Sequence, residues 1–218
     1  MDTRIDQIFI GALRPLPPED QLTGMYKSPV AGPVSVTPEG LAGDRQADRR
    51  YHGGAEKALH HYPAEHYARL AQRFPERADV LAPGVLGENL STRGWTEANA
   101  CIGDVFRAGS ALVQLSQPRQ PCWKINHRLD VDGASLFIVR ECITGWYYRV
   151  LETGMIAPGD AFTLAERPNP TLTVATFIAA TQAHRPDPAE LRAIAAAVAL
   201  APEWARRLSE RADWLERS

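Results

Sequence analysis

The chain has 218 residues, 44% of them apolar and 23% charged, with a formal net charge of −2 at pH 7. That length supports one domain with a real core plus an appendage, or two modest domains, and the composition excludes a disordered chain. The near-neutral balance excludes a global positive field that would draw the protein to nucleic acid or to an anionic membrane, so any anion site must be local.

In chain order, Ile8 to Gly11 reads as a strand, and Leu13 to Pro38 alternates short β-like pieces with Pro and Gly, the texture of hairpins. Met1 to Asp6 lacks a signal-like apolar core, and the longest apolar runs fall far short of the ~20 residues a bilayer span needs. A cytoplasmic protein without a membrane helix is expected. Pro63 fits the first turn of a helix whose apolar stripe is Tyr67, Leu70, Ala71 and Phe74, closed near Pro75. Gly103 to Gly109 and Ala111 to Ser116 are two β-like segments joined by a Gly-containing turn, so Cys122 follows the end of a strand. A short helix is expected from Ser135, as its cap, to Ile143, with Gly145 in the left-handed position beyond its end.

Trp146 to Val150 then reads as a strand and Gly154 to Leu164 as a further hairpin unit. Arg167-Pro168-Asn169-Pro170 breaks regular structure, and the domain boundary is placed there, dividing residues 1–166 from 167–218. Three helices are expected beyond it: Val174 to Gln182 behind Thr173, Pro188 to Leu200 behind Asp187, and Pro202 to about Leu215. Basic and acidic residues balance in this tail, which leaves no nucleic-acid footprint, and packing or partner contact is its expected role.

Three cysteines, Cys101, Cys122 and Cys142, form an odd, sparse set unlike a secreted disulfide scaffold. Cys101 and Cys142 sit in apolar contexts and read as core. Cys122 differs: Pro118 and Pro121 stiffen its loop, while Arg119 and Lys124 bring positive charge that favours thiolate over thiol. Such a thiol suits metal ligation or nucleophilic attack. A second cluster joins Gly43-Asp44-Arg45 to His52-Gly53-Gly54 and Lys57. Paired glycines let backbone N–H groups converge on an anion, with Arg45, Arg49, Arg50, His52 and Lys57 around them, although a Gly-Gly turn beside a solvated basic run has the same signature. Of His60 and His61, at most one reaches a site in an extended segment, since adjacent side chains point to opposite faces. Glu88 and Asn89, in a Gly-flanked turn, could bind polar ligand edges or bond to their own backbone. The chain has no Gly-x-Gly-x-x-Gly, Gly-Lys-Ser/Thr or Cys-x-x-Cys pattern, so redox chemistry would need electrons from elsewhere.

Taken in order, Gly43-Asp44, His52-Gly53-Gly54 with Lys57-Ala58, Gly87-Glu88-Asn89-Leu90, Ile102-Gly103-Asp104 and Gln117-Pro118-Arg119-Gln120-Pro121-Cys122-Trp123-Lys124 resemble the MOSC domain over about residues 25 to 165. The helical tail resembles the accessory unit of its YiiM-type members, the 6-N-hydroxylaminopurine resistance proteins. The resemblance implies a mixed α+β fold, a MOSC-type β-barrel with flanking short helices followed by a small three-helix unit. It implies a molybdenum–pterin cofactor with Cys122 as the metal ligand, and reductive removal of hydroxyl from N-hydroxylated bases and related compounds. Cys122, His52 and Glu88 become the expected catalytic set. Arg45, His52, Gly53, Gly54, Lys57 and His61 are expected to bind the cofactor, together with Glu88, Asn89, Gln117, Arg119 and Lys124. Electrons would come from a separate flavin or iron–sulfur protein, and a homodimer is left open. Other readings stand beside this one: a molybdenum cofactor or sulfur carrier using a Cys122 persulfide, a Cys-His hydrolase or transferase pairing Cys122 with His127 or His61, and a pure binding module.

Overall fold

The alternation of apolar and polar side chains along the strands is what decides which residues face the core and which face the site. The computed structural model describes residues 3–17, 20–47 and 53–217. It begins with β1 (Thr3–Ile10), β2 (Arg14–Leu16), β3 (Gln21–Thr23), β4 (Ser28–Pro29), β5 (Val34–Thr37), β6 (Gly40–Leu41) and β7 (Leu59–His61). Helix α1 (His66–Arg73) leads to β8 (Leu90–Thr92), β9 (Val105–Ala108) and β10 (Ala111–Pro118). Short helices α2 (Lys124–Leu129) and α3 (Ala134–Arg140) precede β11 (Trp146–Glu152), β12 (Gly154–Ile156) and β13 (Ala161–Glu166). The chain continues through α4 (Val174–Gln182), α5 (Pro188–Ala195) and α6 (Pro202–Arg217). Among the described residues, no helix is long and apolar enough to cross a membrane.

Strands β13, β9, β10, β11, β7, β8 and β1 hydrogen-bond in that order, and β1 pairs back onto β13. The sheet is thereby closed into a barrel, which leaves no free edge around its circumference. Within it β7 and β8 run parallel, through His61 and Leu90, while the other pairings are antiparallel. The interior is filled by Phe106, Trp146, Tyr148 and Phe162, all fully buried, with Phe106 and Phe162 stacked at 4.7 Å between ring centroids. This is the expected mixed α+β architecture, a MOSC-type barrel with short helices on its flank and a three-helix unit at its end.

A separate apolar cluster outside the barrel joins Tyr67 and Leu70 of α1, and Phe74 just beyond it, to Ile125 and Leu129 of α2 and Ile138 of α3. The three tail helices instead extend the barrel's own core: Phe177, Ile178, Leu191, Ile194 and Leu208 belong to the same buried cluster as Phe106 and Trp146. Thr173 and Asp187 cap α4 and α5 as expected, accepting from the N–H groups of Thr176 and Ala189. Arg167 bridges to Asp104 on the barrel at 2.7 Å, and Asn169 donates to the Ile102 carbonyl at 2.8 Å, so the chain is fastened where it leaves β13.

Several local expectations need correction. Helix α1 starts at His66, and Pro63 instead supplies the carbonyl that accepts from the His66 N–H. Ser135 does not cap α3, which starts behind Gly133; the Ser135 N–H is taken by the Asn126 side chain of α2 at 2.8 Å. That helix stops at Arg140, just before Cys142 turns to φ +52°, so Cys142 is half-buried rather than core. Helix α5 ends at Ala195, before the positive φ of Ala199. Helix α2 was not foreseen, because its six residues carry no side-chain cap.

Gly145 does adopt the left-handed conformation, with φ +68°. A Cβ there would lie 2.4 Å from the His61 carbonyl oxygen and 2.9 Å from the Tyr62 ring. Its N–H donates to Glu97 at 2.7 Å and its carbonyl accepts from the Arg119 N–H at 3.0 Å, so this glycine anchors the Cys122 loop to the barrel. Gly145→Ala should cost at least about 2 kcal/mol in chemical denaturation, through positive φ and backbone contact together; a loss of only a few tenths would contradict this packing.

Candidate active site

Strand register builds one wall. Tyr147 of β11 pairs with His60 of β7, and Trp146 pairs with His61. Because successive side chains alternate, Trp146 and His61 enter the barrel while Tyr147 and His60 face an open cleft, their rings 5.2 Å apart. The cleft has an empty volume of about 590 Å³, open solvent at its mouth included.

Half of the expected residues meet there. Arg45, Lys57, Asn89, Arg119, Cys122 and Lys124 all line the cleft. Cys122 is half-buried, at the junction between β10 and α2. Arg119 and Lys124 are only 7% and 8% exposed, and among the described residues neither pairs with a carboxylate. The Arg119 guanidinium lies 3.5 Å from the His60 ring, and the Lys124 ammonium donates to the Leu22 carbonyl at 3.3 Å. Buried cations without acidic partners are costly unless an anion completes them.

Of the His60–His61 pair it is His60, not the expected His61, that lines the cleft, and the sequence reasoning missed Lys27. Lys27 also lines the cleft, but Asp44 compensates it at 2.5 Å. Asp44 further accepts from the Gly11 N–H at 2.9 Å and from the Asn89 amide at 2.9 Å. Asn89 also accepts from the His60 N–H at 3.0 Å, so its side chain ties β7 to the Asp44 loop, and its amide is already engaged. No local motif announces Lys27, because its partner is 17 residues away in sequence.

Other expected residues lie elsewhere. His61 is fully buried in the barrel, bonded to the Tyr148 hydroxyl at 2.9 Å and to Thr92 at 3.0 Å, and does not reach the cleft. Glu88 is also fully buried. One oxygen accepts from the Tyr67 hydroxyl at 2.6 Å and from the Gly84 N–H at 2.5 Å, which stabilises the loop rather than presenting a carboxylate to a ligand. Burial pushes its carboxyl above the usual range. Gly53 is buried, and Gly54, at φ +88°, opens the turn at Ala55–Lys57 that carries Lys57 to the cleft; neither glycine lines it. Gln117 faces a neighbouring cleft that also contains Cys122. His127 is exposed and packs edge-on against Trp123, with ring centroids 4.8 Å apart. His52, Arg49 and Arg50 lie outside the described residues.

Burial pushes His61 down to about 3. His60 lies well below its ordinary value through burial and then the nearby Arg119 and Lys27 charges. Both rings are therefore neutral when folded, whereas the unfolded chain takes up protons below about pH 6.5. The His61 contribution to stability is whole above that pH and is lost as the pH falls from 6.5 toward 3, at up to about 1.4 kcal/mol per pH unit. Denaturation curves between pH 7 and pH 4.5 should show His61→Gln with a shallower acid loss than the wild type; equal slopes would contradict the buried neutral ring.

A closed barrel, a loop thiol and a set of cations on one cleft define a cofactor-binding protein more readily than a self-contained metal centre. Among the described residues, no group of three or more His, Cys, Asp or Glu could hold a metal ion. A metal here would take Cys122 as its single protein donor and need its other ligands from a bound anionic cofactor, which is the combination these side chains fit.

The MOSC domain model matches residues 48–163, and the chain belongs to that family. It is 38% identical over 196 residues to protein YiiM of Escherichia coli K12, covering 89% of this chain and 86% of that protein. The crystal structure of YiiM from Geobacillus stearothermophilus superposes with a TM-score of 0.82 at 33% identity, over 96% of this chain and 99% of that one. A Gibberella moniliformis protein named "Reductase" is 39% identical over 153 residues, 70% of this chain but 27% of that longer protein. Family membership supports an enzymatic, molybdenum-cofactor-linked oxidoreductase role.

Proposed function

We propose that the cleft binds a molybdenum–pterin cofactor through Cys122 and its cations, and that the protein removes hydroxyl from N-hydroxylated bases and related compounds. The observation that carries this reading is the convergence, on one cleft, of a loop thiol with two buried cations that have no acidic partner among the described residues. The name of the fungal relative, a reductase, agrees with it. So does the soft character of a thiolate, which suits molybdenum.

When bound, the cofactor would supply the two-electron reduction in which R–NHOH, two electrons and two protons give R–NH2 and water. The chain's own part is to hold and orient. Cys122 is the candidate metal ligand. Arg119 and Lys124, with Arg45 and Lys57 nearer the opening, would meet the phosphate of the pterin. Asn89 positions rather than binds, because its amide is committed to Asp44 and β7. Neutral His60 adds no charge to an already cationic wall, and Tyr147, its phenol pushed up by burial, stays protonated and offers a hydrogen-bond donor on the same cleft. Glu88 and His61 act through the fold, holding the Gly84 turn and the barrel interior. The electrons would come from a separate flavin or iron–sulfur protein.

Protein made in a host with intact cofactor synthesis should carry about one molybdenum per chain and, with a chemical reductant, convert a hydroxylaminopurine to the amine. Molybdenum-free protein bearing a persulfide on Cys122 would overturn this in favour of sulfur or cofactor carriage.

A further inference from the structure

A second cleft, with an empty volume of about 740 Å³ that includes open solvent, is lined by the Cys122 loop and by α6. Lys57, Cys122 and Tyr147 line both clefts, so the two meet at the thiol. Their chemistry differs. The first is walled by cations. The second is lined by the indole of Trp204, the carboxamide of Gln120, the carboxylate of Glu203 and the guanidinium of Arg207, the last two 3.9 Å apart. Trp204, Glu203 and Arg207 all belong to α6, the last helix of the tail, and face the barrel's cysteine loop across this opening.

The wall is braced. Trp204 stands edge-on to Phe177 with centroids 5.1 Å apart, and the Arg207 guanidinium lies 4.8 Å from its ring. Arg207 donates to the Gln120 side chain at 3.3 Å, a direct link from tail to cysteine loop. An indole beside donors and acceptors of both kinds suits a flat, neutral, hydrogen-bonding ring better than an anion. We propose that this second cleft is the substrate subsite, and that the tail helix, through Trp204 with Gln120 opposite, selects planar nitrogen heterocycles and presents them toward Cys122. This rests on the reductase reading for the reaction but not for the binding.

Two readouts separate the ideas. In calorimetry, wild-type protein should bind adenine, Trp204→Ala should bind it about tenfold or more weakly, and Trp204→Phe should stay near the wild type. In the molybdenum-loaded enzyme, Trp204→Ala should raise KM for 6-N-hydroxylaminopurine at least tenfold more than KM for hydroxylamine, which has no ring to stack, with little change in kcat. Gln120→Ala alters an exposed side chain and should show the same selective rise if the Trp204 variant fails to fold. Absence of adenine binding by the wild type, or equal KM effects on both substrates, would overturn the proposal. Should the loaded enzyme reduce neither compound, the reductase reading falls, while adenine binding still decides this subsite.

Discussion

Cys122→Ser should leave a folded protein that carries no molybdenum and has lost at least about 100-fold of its reductase activity. The reasoning is one of donor number. Because the described residues offer no cluster that could hold a metal, the thiol is the single protein donor in prospect, and its loss cannot be made up by a neighbour. Even supporting groups around a metal typically cost 10–100-fold when removed, so a first ligand should cost at least the upper figure. Stability should move by no more than about 1 kcal/mol, since the side chain is half-buried and the change is nearly isosteric. Metal analysis beside a thermal melt separates the two effects, and full molybdenum content in the variant would sink the assignment.

Arg119→Met should weaken cofactor retention by about 30-fold or more, the usual cost of truncating one member of a buried charge pair. The same substitution should leave the cofactor-free protein as stable as before, or slightly more stable. Arg119 is 7% exposed and has no carboxylate partner among the described residues, so it burdens the empty protein with an uncompensated charge. A structural arginine would behave in the opposite way, with Tm falling and retention little changed. His60 should respond as well. The Arg119 charge helps hold it down, so its titration, followed by NMR, should move up toward the ordinary histidine value in the variant.

The barrel was legible where strand periodicity was strong. The segments at Ala111 to Ser116 and Trp146 to Val150 became β10 and β11, and their alternation is what turns Tyr147 outward and Trp146 inward. The Cys122 loop was legible from its prolines and charges, because those act locally. Long-range partners were not. Lys27 is explained by Asp44, and His60 is placed by its register with Tyr147, neither of which is written in a neighbouring residue. The choice between His60 and His61 turned on which face of β7 meets the interior, and one residue of register reverses it. Glu88 stands in a motif, yet its bonds to Tyr67 and Gly84 brace the backbone that carries the site. Helix α6 gave no chemical signal in the sequence, since Trp204 and Arg207 gain meaning only opposite Gln120.

Cys122 is proposed as the protein's ligand to a cofactor-bound molybdenum. X-ray absorption at the molybdenum edge tests it most directly, on wild-type protein and on Cys122→Ser reconstituted with excess cofactor to force occupancy. The account predicts one fewer sulfur neighbour at the metal in the variant. Identical sulfur shells in the two proteins would contradict it.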